Sequence, residues 1–575
     1  MKRLTKVVSL LVALMLLMSL SVVGLGQETF RIEDWEPYNA DGTIKRTERD
    51  ATGVNGVVST GKFEASKVGV EIILAGGNAI DAAVAIGFAL GVCEPQSSGL
   101  GGGGFMMIHS AEGETTFIDF REIAPAASTV EMWPVGEDGK VINNVKRMGG
   151  LSVGVPGEVK GLLYALETYG TMTREQVMNP AIKLAEEGYK VSAVMNRDMA
   201  NSYEKLIKYP ATAEIYLKEG FPYEVGDILK NPDLAKTLTL IRDNGESAFY
   251  TGPVAEAIVN SIQEDNGLIT MEDLANYEIK MRDPIKATYR DDYEIITVAP
   301  PSTGGVHIIQ ILNILENFDV SSMEADSPEF LHLFAEATKL ALADRAKYGG
   351  DTDFVDVPIN GMISKEYCKT LAEKIDMTIS QQYVEGNPWD YESEQTTSYS
   401  IIDKEGNMVA VTKTVNSVFA SGVVAKGTGI LMNNEMDDFS LGAEGVNAVE
   451  PGKKPLSSMS PTLVLKNGKP FMSLGAPGAV LIIPGVAMTI TCVIDHGMDI
   501  QEAIDAPRIL EGWGKVVLET RVPESVKEAL EAMGHDIRYE EAWYSYPCVQ
   551  GVCVMEDGTI RGGGDPRRDG KALGY

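Results

Sequence analysis

The sequence changes texture at Thr396, and that change limits the folds open to it. Between residues 157 and 380 apolar residues recur mainly at amphipathic-helix spacing, with one strand pattern at YEIITVA. Beyond Thr396 strand patterns dominate: SYSIID, MVAVTKTV, TLVLKN, PFMSLG, VVLET and GVCVME, broken by helical segments at 483–496 and 524–533. The second half thus supplies sheets and the first half mainly helices. Neither set buries its apolar faces alone, so the chain is predicted to be α+β, with two layers of sheet covered by helices. No tandem repeat or low-complexity linker intervenes. The one clear internal boundary is the acidic, turn-rich GNPWDYESEQ, which ends at Gln395.

Upstream, residues 62–94 read as helix. NAIDAAVAIGFALGV is apolar almost all round and rich in Ala and Gly, the pattern of a central, closely packed helix. FMMIHS and TTFIDF, separated by AEGE, read as a hairpin. A length of 575 residues on its own suggests roughly 2–4 domains. With 44% apolar and 23% charged residues the composition is globular and sufficient for a large core. The formal net charge of −32 argues against nucleic acid as a partner, because phosphates need a basic face, and against anionic membranes held by charge alone. Its plain consequence is solubility.

At the N-terminus Lys2, Arg3 and Lys6 precede an uncharged apolar run that closes on Gly24 and Gly26. Residues 1–26 therefore read as an export signal, and the protein is expected in the periplasm or outside the cell. Left uncut, the run is long enough to serve as a membrane anchor. Five cysteines are too sparse for a disulfide scaffold. Cys93 reads as a small buried hydrophobe, while Cys548 and Cys553 can pair across a hairpin.

Two motif matches lack their context. GLGGGG at 99–104 fits G-x-G-x-x-G, but a dinucleotide site needs a strand before it and a helix after it, and here a helix precedes and a hairpin follows. GLSVG at 150–154 fits the serine-hydrolase elbow, yet NNVKRMGG before it is a poor strand. His109, His307, His332, His496 and His535 show no metal-ligand spacing, so neither a metal nor another cofactor is expected. So few histidines also suggest that any acid–base group is something other than imidazole.

Thr396 stands where the acidic stretch meets the strand pattern. A threonine hydroxyl is a poor nucleophile without a base, and its own α-amine can be that base once the preceding peptide bond is broken. An α-amine titrates near 7.7–8, close to working pH. Locally, a threonine pair that simply opens a β-strand is the plainer reading.

Wider segments weigh against it. TTSYSIIDKEGNMVAVT, GILMNNEMDDFS, KPLSSMSPT and GAPGA resemble, in order and spacing, the γ-glutamyltranspeptidase family. So do GGNAIDAAVAIGFALGV, GLGGGGFM, IDFREIAP, LITMEDLANYE, PPSTGGVHIIQILNILENFD, ADRAKYGGD and the ending GGDPRRDGKALGY. The resemblance implies an αββα N-terminal-nucleophile fold made as a proenzyme that cuts itself between Gln395 and Thr396. A large subunit, 27–395, and a small subunit, 396–575, would then form one domain as a heterodimer. Thr396 would attack the γ-carbonyl of glutathione or another γ-glutamyl compound, and the acyl group would pass to water or to an amino acid or dipeptide. Thr414 would support the nucleophile, and Arg121, Ser457 and Ser458 would hold the donor's α-carboxylate. Asp438, Glu435 and Asn416 would hold its α-ammonium. The backbone amides of Gly478 and Ala479 would form the oxyanion hole.

Two departures stand out. The family's Pro-Gly-Gly turn is Pro477-Gly478-Ala479 here, where alanine costs about 1 kcal/mol or more if its φ is positive. Between Asp438 and KKPLSS the chain has only FSLGAEGVNAVEPG, shorter than the lid loop of well-known bacterial members, which implies a more open pocket that admits water or poly-γ-glutamate. A related amidase (a poly-γ-glutamate depolymerase or a cephalosporin acylase) and an uncleaved, silent binding protein are the alternatives.

Overall fold

The computed structural model describes residues 32–39, 43–383, 396–512, 515–543 and 547–575. The predicted signal, the acidic stretch and Gln395, on one side of the predicted cut, lie outside the described residues. The chain divides into two compact units, residues 1–35 and 36–575. The sheets and helices below belong to the second.

Fourteen strands make two seven-stranded sheets. In chain order they are β1 (Ala51–Gly53), β2 (Gly56–Thr60), β3 (Gly103–His109), β4 (Thr115–Asp119), β5 (Lys280–Arg282), β6 (Ile285–Tyr289) and β7 (Tyr293–Thr297). Then follow β8 (Thr397–Asp403), β9 (Met408–Thr414), β10 (Thr462–Lys466), β11 (Lys469–Gly475), β12 (Gln550–Val554), β13 (Ile560–Gly564) and β14 (Lys571–Gly574). One sheet runs β14-β2-β8-β9-β3-β4-β5 and the other β1-β13-β12-β11-β10-β7-β6, antiparallel throughout.

These orders explain why length misleads. Strands from the first half are interleaved with strands from the second within both sheets. β8 and β9 are inserted between β2 and β3, and the C-terminal β14 edges the sheet beside β2. Residues 36–575 consequently form one unit rather than the 2–4 domains that length suggests. A break before Thr396 would leave the two pieces hydrogen-bonded along shared strands.

α1 (Phe63–Leu74) and α2 (Ala79–Cys93) pack on the first sheet, and α3 (Gly304–Leu315) and α5 (Ile482–Ile494) on the second. α4 (Pro328–Tyr348) packs against α3. α2 is buried along its whole length, as its almost wholly apolar sequence requires, and a reciprocal capping box between Asn78 and Asp81 starts it. Every residue of β8 and β9 is buried, because α2 covers one face of the strands and the second sheet the other. The predicted hairpin is β3–β4, in the expected register of two antiparallel runs.

The cysteines are all free and buried. Cys553 lies within β12 and Cys548 just before it, so the two share one strand run instead of facing each other across a hairpin. Among the described residues no helix is long and apolar enough to cross a membrane.

Candidate active site

β8 and β9 fix the position of Thr396. Thr397 is paired with Lys413, so the next step of the antiparallel ladder sets Thr396 beside Thr414. Thr396 Oγ1 lies 3.5 Å from Thr414 Oγ1, the outer limit of a hydrogen bond. Thr414 Oγ1 also accepts the Asn416 amide at 2.8 Å. Asn416 has φ +77°, a conformation asparagine tolerates better than most residues, and its Nδ2 donates to the Asn434 carbonyl at 2.9 Å. The glycine run 99–104 serves this junction: a Cβ on Gly102 would lie 2.0 Å from the Thr414 carbonyl oxygen. Close backbone approach, not phosphate binding, accounts for the motif.

Behind Thr396 lies a buried polar bracket. Arg568 Nη1 donates to the Thr396 carbonyl at 2.9 Å, and Thr397 Oγ1 donates to Glu94 Oε2 at 2.6 Å. Arg568 and Glu94 approach to 3.7 Å. Burial raises the Glu94 carboxyl, and Arg568 partly offsets this.

Arg121 follows β4 and reaches toward the second half of the chain. Nη1 contacts Glu435 Oε1 at 2.6 Å and Nη2 contacts Asp438 Oδ2 at 2.8 Å. Nε and Nη2 donate to the carbonyls of Pro455 and Leu456, each at 2.8 Å. Glu435 and Asp438 open and close one 3-10 turn, in which side chains three apart eclipse, so both carboxylates face the same guanidinium. Burial would lower the Arg121 pKa, but Glu435 and Asp438 reverse this and hold it above its ordinary value. Burial also raises Glu435, against the pull of Arg121. The Arg121 and Glu435 side chains are 1% exposed, whereas Asp438 keeps 14%.

The short loop after Asp438 folds back on itself. Ser440 bridges Ala448, and Asn447 both donates to the Asp438 carbonyl at 2.6 Å and accepts the Leu456 amide at 3.0 Å. One residue on, Ser457 Oγ accepts the Met459 amide at 3.2 Å, and Ser458 Oγ accepts Arg345 Nη2 at 2.9 Å. A hydroxyl that accepts in this way is oriented to donate with its own hydrogen. Arg345, near the end of α4, also donates through Nε to Thr303 Oγ1, and Thr303 in turn holds the Ser457 carbonyl.

Gly475 ends β11 directly over β8, where an added Cβ would meet Ser398 Oγ at 2.3 Å. Gly478 and Ala479 follow within four residues, with φ of +132° and +52°. Ala479 thus adopts the left-handed conformation that disfavours a side chain.

Arg568, Glu94 and Arg345 escaped sequence reading, as did Glu122. The last is buried beside Arg121, and among the described residues neither carboxyl oxygen has a hydrogen-bond partner. Burial first, then the charge of Glu435, pushes its pKa well above the usual range.

The family model described as gamma-glutamyltranspeptidase matches residues 65–575. The chain belongs to the γ-glutamyltranspeptidase family. The glutathione hydrolase proenzyme of Escherichia coli (strain K12) is 43% identical over 537 residues, covering 90% of this chain and 92% of that protein. The Bacillus subtilis (strain 168) glutathione hydrolase proenzyme is 38% identical over 584 residues, covering 98% of each. Among solved structures, a cephalosporin acylase from Bacillus halodurans superposes with a TM-score of 0.81 at 27% identity, covering 96% of this chain and 99% of that one. The family resemblance read from the sequence therefore holds across the chain.

Proposed function

We propose that this protein is an exported, self-processing γ-glutamyl hydrolase and transferase built as an αββα N-terminal-nucleophile sandwich. The observation that carries the reading is the placement of Thr396 beside Thr414 in a chain whose buried Arg121 is already paired with two carboxylates.

Cutting the Gln395–Thr396 bond frees the α-amine of Thr396, which takes the hydroxyl proton as Oγ1 attacks the γ-carbonyl carbon. The amides of Gly478 and Ala479 stabilise the oxyanion. When the intermediate collapses, the C–N bond breaks and the leaving amine takes the proton back from the α-ammonium. A γ-glutamyl ester of Thr396 remains. Water, or the amine of an amino acid or peptide acceptor, attacks that ester and restores the hydroxyl.

Donor binding is an exchange of ion pairs. A γ-glutamyl group brings one α-carboxylate and one α-ammonium. The carboxylate takes over Arg121, with Ser457 and Ser458 as hydroxyl donors, and the ammonium takes over Asp438, with Glu435 and Asn416 beside it. Each buried charge keeps a partner throughout, which avoids the large cost of stranding one. Asp438, the more exposed of the two acids, is the one a ligand meets first.

The test is hydrolysis of glutathione against a glutaryl amide, which lacks the α-ammonium, by processed protein. This reading expects glutathione to be preferred by at least tenfold, and equal rates would favour an acylase. The same assay with a γ-glutamyl oligomer reports on the short loop: a strong preference for glutathione would count against a pocket opened to polymers.

A further inference from the structure

We propose that His332, Glu336 and His535 form a binding site for one divalent transition-metal ion that ties the two halves of the chain together. Sequence spacing conceals the site. His332 and Glu336 stand four apart on α4, on one face of the helix, and His535 arrives from the turn after helix Glu524–Ala532. One ligand atom from each lies within 4.8 Å of the others. All three residues are buried, His535 the least so at 5% exposed.

The proton positions favour a cation. His332 Nε2 lies 2.9 Å from the Asp376 carbonyl, which only accepts, so Nε2 carries the hydrogen and Nδ1 presents a lone pair. A backbone carbonyl on the far nitrogen is the usual outer support of a metal-bound imidazole. His332 Nδ1 points at His535 Nε2, 2.8 Å away. Nitrogens at about 2.0–2.1 Å from a metal and this far apart subtend an angle of about 85°, a cis pair; opening them by about 0.5 Å gives a tetrahedral pair. Glu336 accepts Lys339 on Oε1 at 2.8 Å, and on Oε2 the Gln381 amide at 3.1 Å and the Tyr383 hydroxyl at 2.9 Å. Oε1 therefore keeps a second lone pair for an ion. Two imidazoles and a carboxylate suit Zn²⁺, Co²⁺, Ni²⁺ or Cu²⁺ rather than Mg²⁺ or Ca²⁺. The Lys339 ammonium on Glu336 opposes a cation and weakens its binding.

The site is structural. Arg345, which touches Ser458, lies about 14 Å further along α4 than Glu336. Asp376, Gln381 and Tyr383, which pack on the cluster, are among the last described residues before the acidic stretch, and His535 belongs to the second half. The tie between two chains rests on the proposed cut; ion binding does not.

Untagged full-length protein, stripped with EDTA and titrated with Zn²⁺ and Co²⁺, is expected to bind about one ion per chain by plasma mass spectrometry, with a rise in Tm. His535→Gln should lose both effects and keep its glutathione hydrolysis. Binding of less than about a tenth of an equivalent, or binding retained in His535→Gln, would overturn the proposal. If that variant does not fold, Cu²⁺ electron paramagnetic resonance of the wild type decides: coupling to imidazole nitrogens supports the site, and oxygen-only ligation refutes it.

Discussion

Replacing Ala479 by glycine removes one methyl group from the turn after β11, where φ is +52°. For an L-residue this conformation sets Cβ against the following carbonyl and costs about 1–2 kcal/mol. Glycine escapes that cost but gains freedom in the unfolded chain, worth about 0.4–1 kcal/mol against it. The net for Ala479→Gly is thus a gain of roughly 0–1.5 kcal/mol, the difference of those two terms. Ala476, three residues earlier in the same turn, is the control: it is fully buried and has no positive φ. Ala476→Gly meets the same unfolded-state penalty with no strain to relieve. The two variants should therefore differ by at least about 1–2 kcal/mol, with Ala479→Gly the more stable. In so large a unit this amounts to about 1–3 °C in Tm, measured on both variants and the parent side by side, with the urea midpoint as a second reading. The backbone N–H is kept, so γ-glutamyl hydrolysis should survive in Ala479→Gly. The strain argument fails if Ala479→Gly is as destabilised as Ala476→Gly.

Three further outcomes follow from the site and its surroundings. Arg121→Lys keeps the charge and loses the planar fork that serves Glu435 and Asp438; kcat/KM for glutathione should drop about 10–150-fold, mostly through KM. Asp438→Asn should lower turnover of γ-glutamyl donors at least tenfold while glutaryl amides change little, and an equal loss on both would deny Asp438 its ammonium-binding role. Burial alone would raise the Glu519 carboxyl, but Arg567 and then Arg521 bring it down to about 2. A depressed carboxylate adds stability above its unfolded value of about 4.3 and loses it as pH falls toward 2, in all about 3 kcal/mol. A Tm series over that window should be steep in the parent and flatter in Glu519→Gln, which starts lower at pH 7.

Local pattern carried the fold further than it carried the site. The almost wholly apolar NAIDAAVAIGFALGV became a helix buried on all sides, and each strand pattern named after Thr396 became a strand. GVVST was not read as a strand, because its partner β8 lies more than three hundred residues away and decides the matter through the sheet; IKATY, which forms a hairpin with β7, and the glycine-rich IRGGG, which forms one with β12, were missed although those partners are near in sequence. Arg121, Glu435 and Asp438 entered through family resemblance, and folding joins them across more than three hundred residues. The groups that hold the site in place carried no local signal. Arg345 sits in an ordinary amphipathic stretch, and its partner Ser458 is 113 residues away. Glu94 ends a helix and meets Thr397 from 303 residues away. The question left open at Ala479 was settled by a torsion angle, which composition and spacing do not encode.

Self-processing before Thr396 is the central claim, because without it the catalytic base does not exist. Intact-mass analysis and N-terminal sequencing of freshly purified protein test it directly. The account predicts two chains, the smaller comprising residues 396–575 and beginning Thr-Thr-Ser-Tyr-Ser, with cleavage abolished in Thr396→Ala. A single unbroken chain that still hydrolyses glutathione, or a cut at any other bond in active protein, would contradict it.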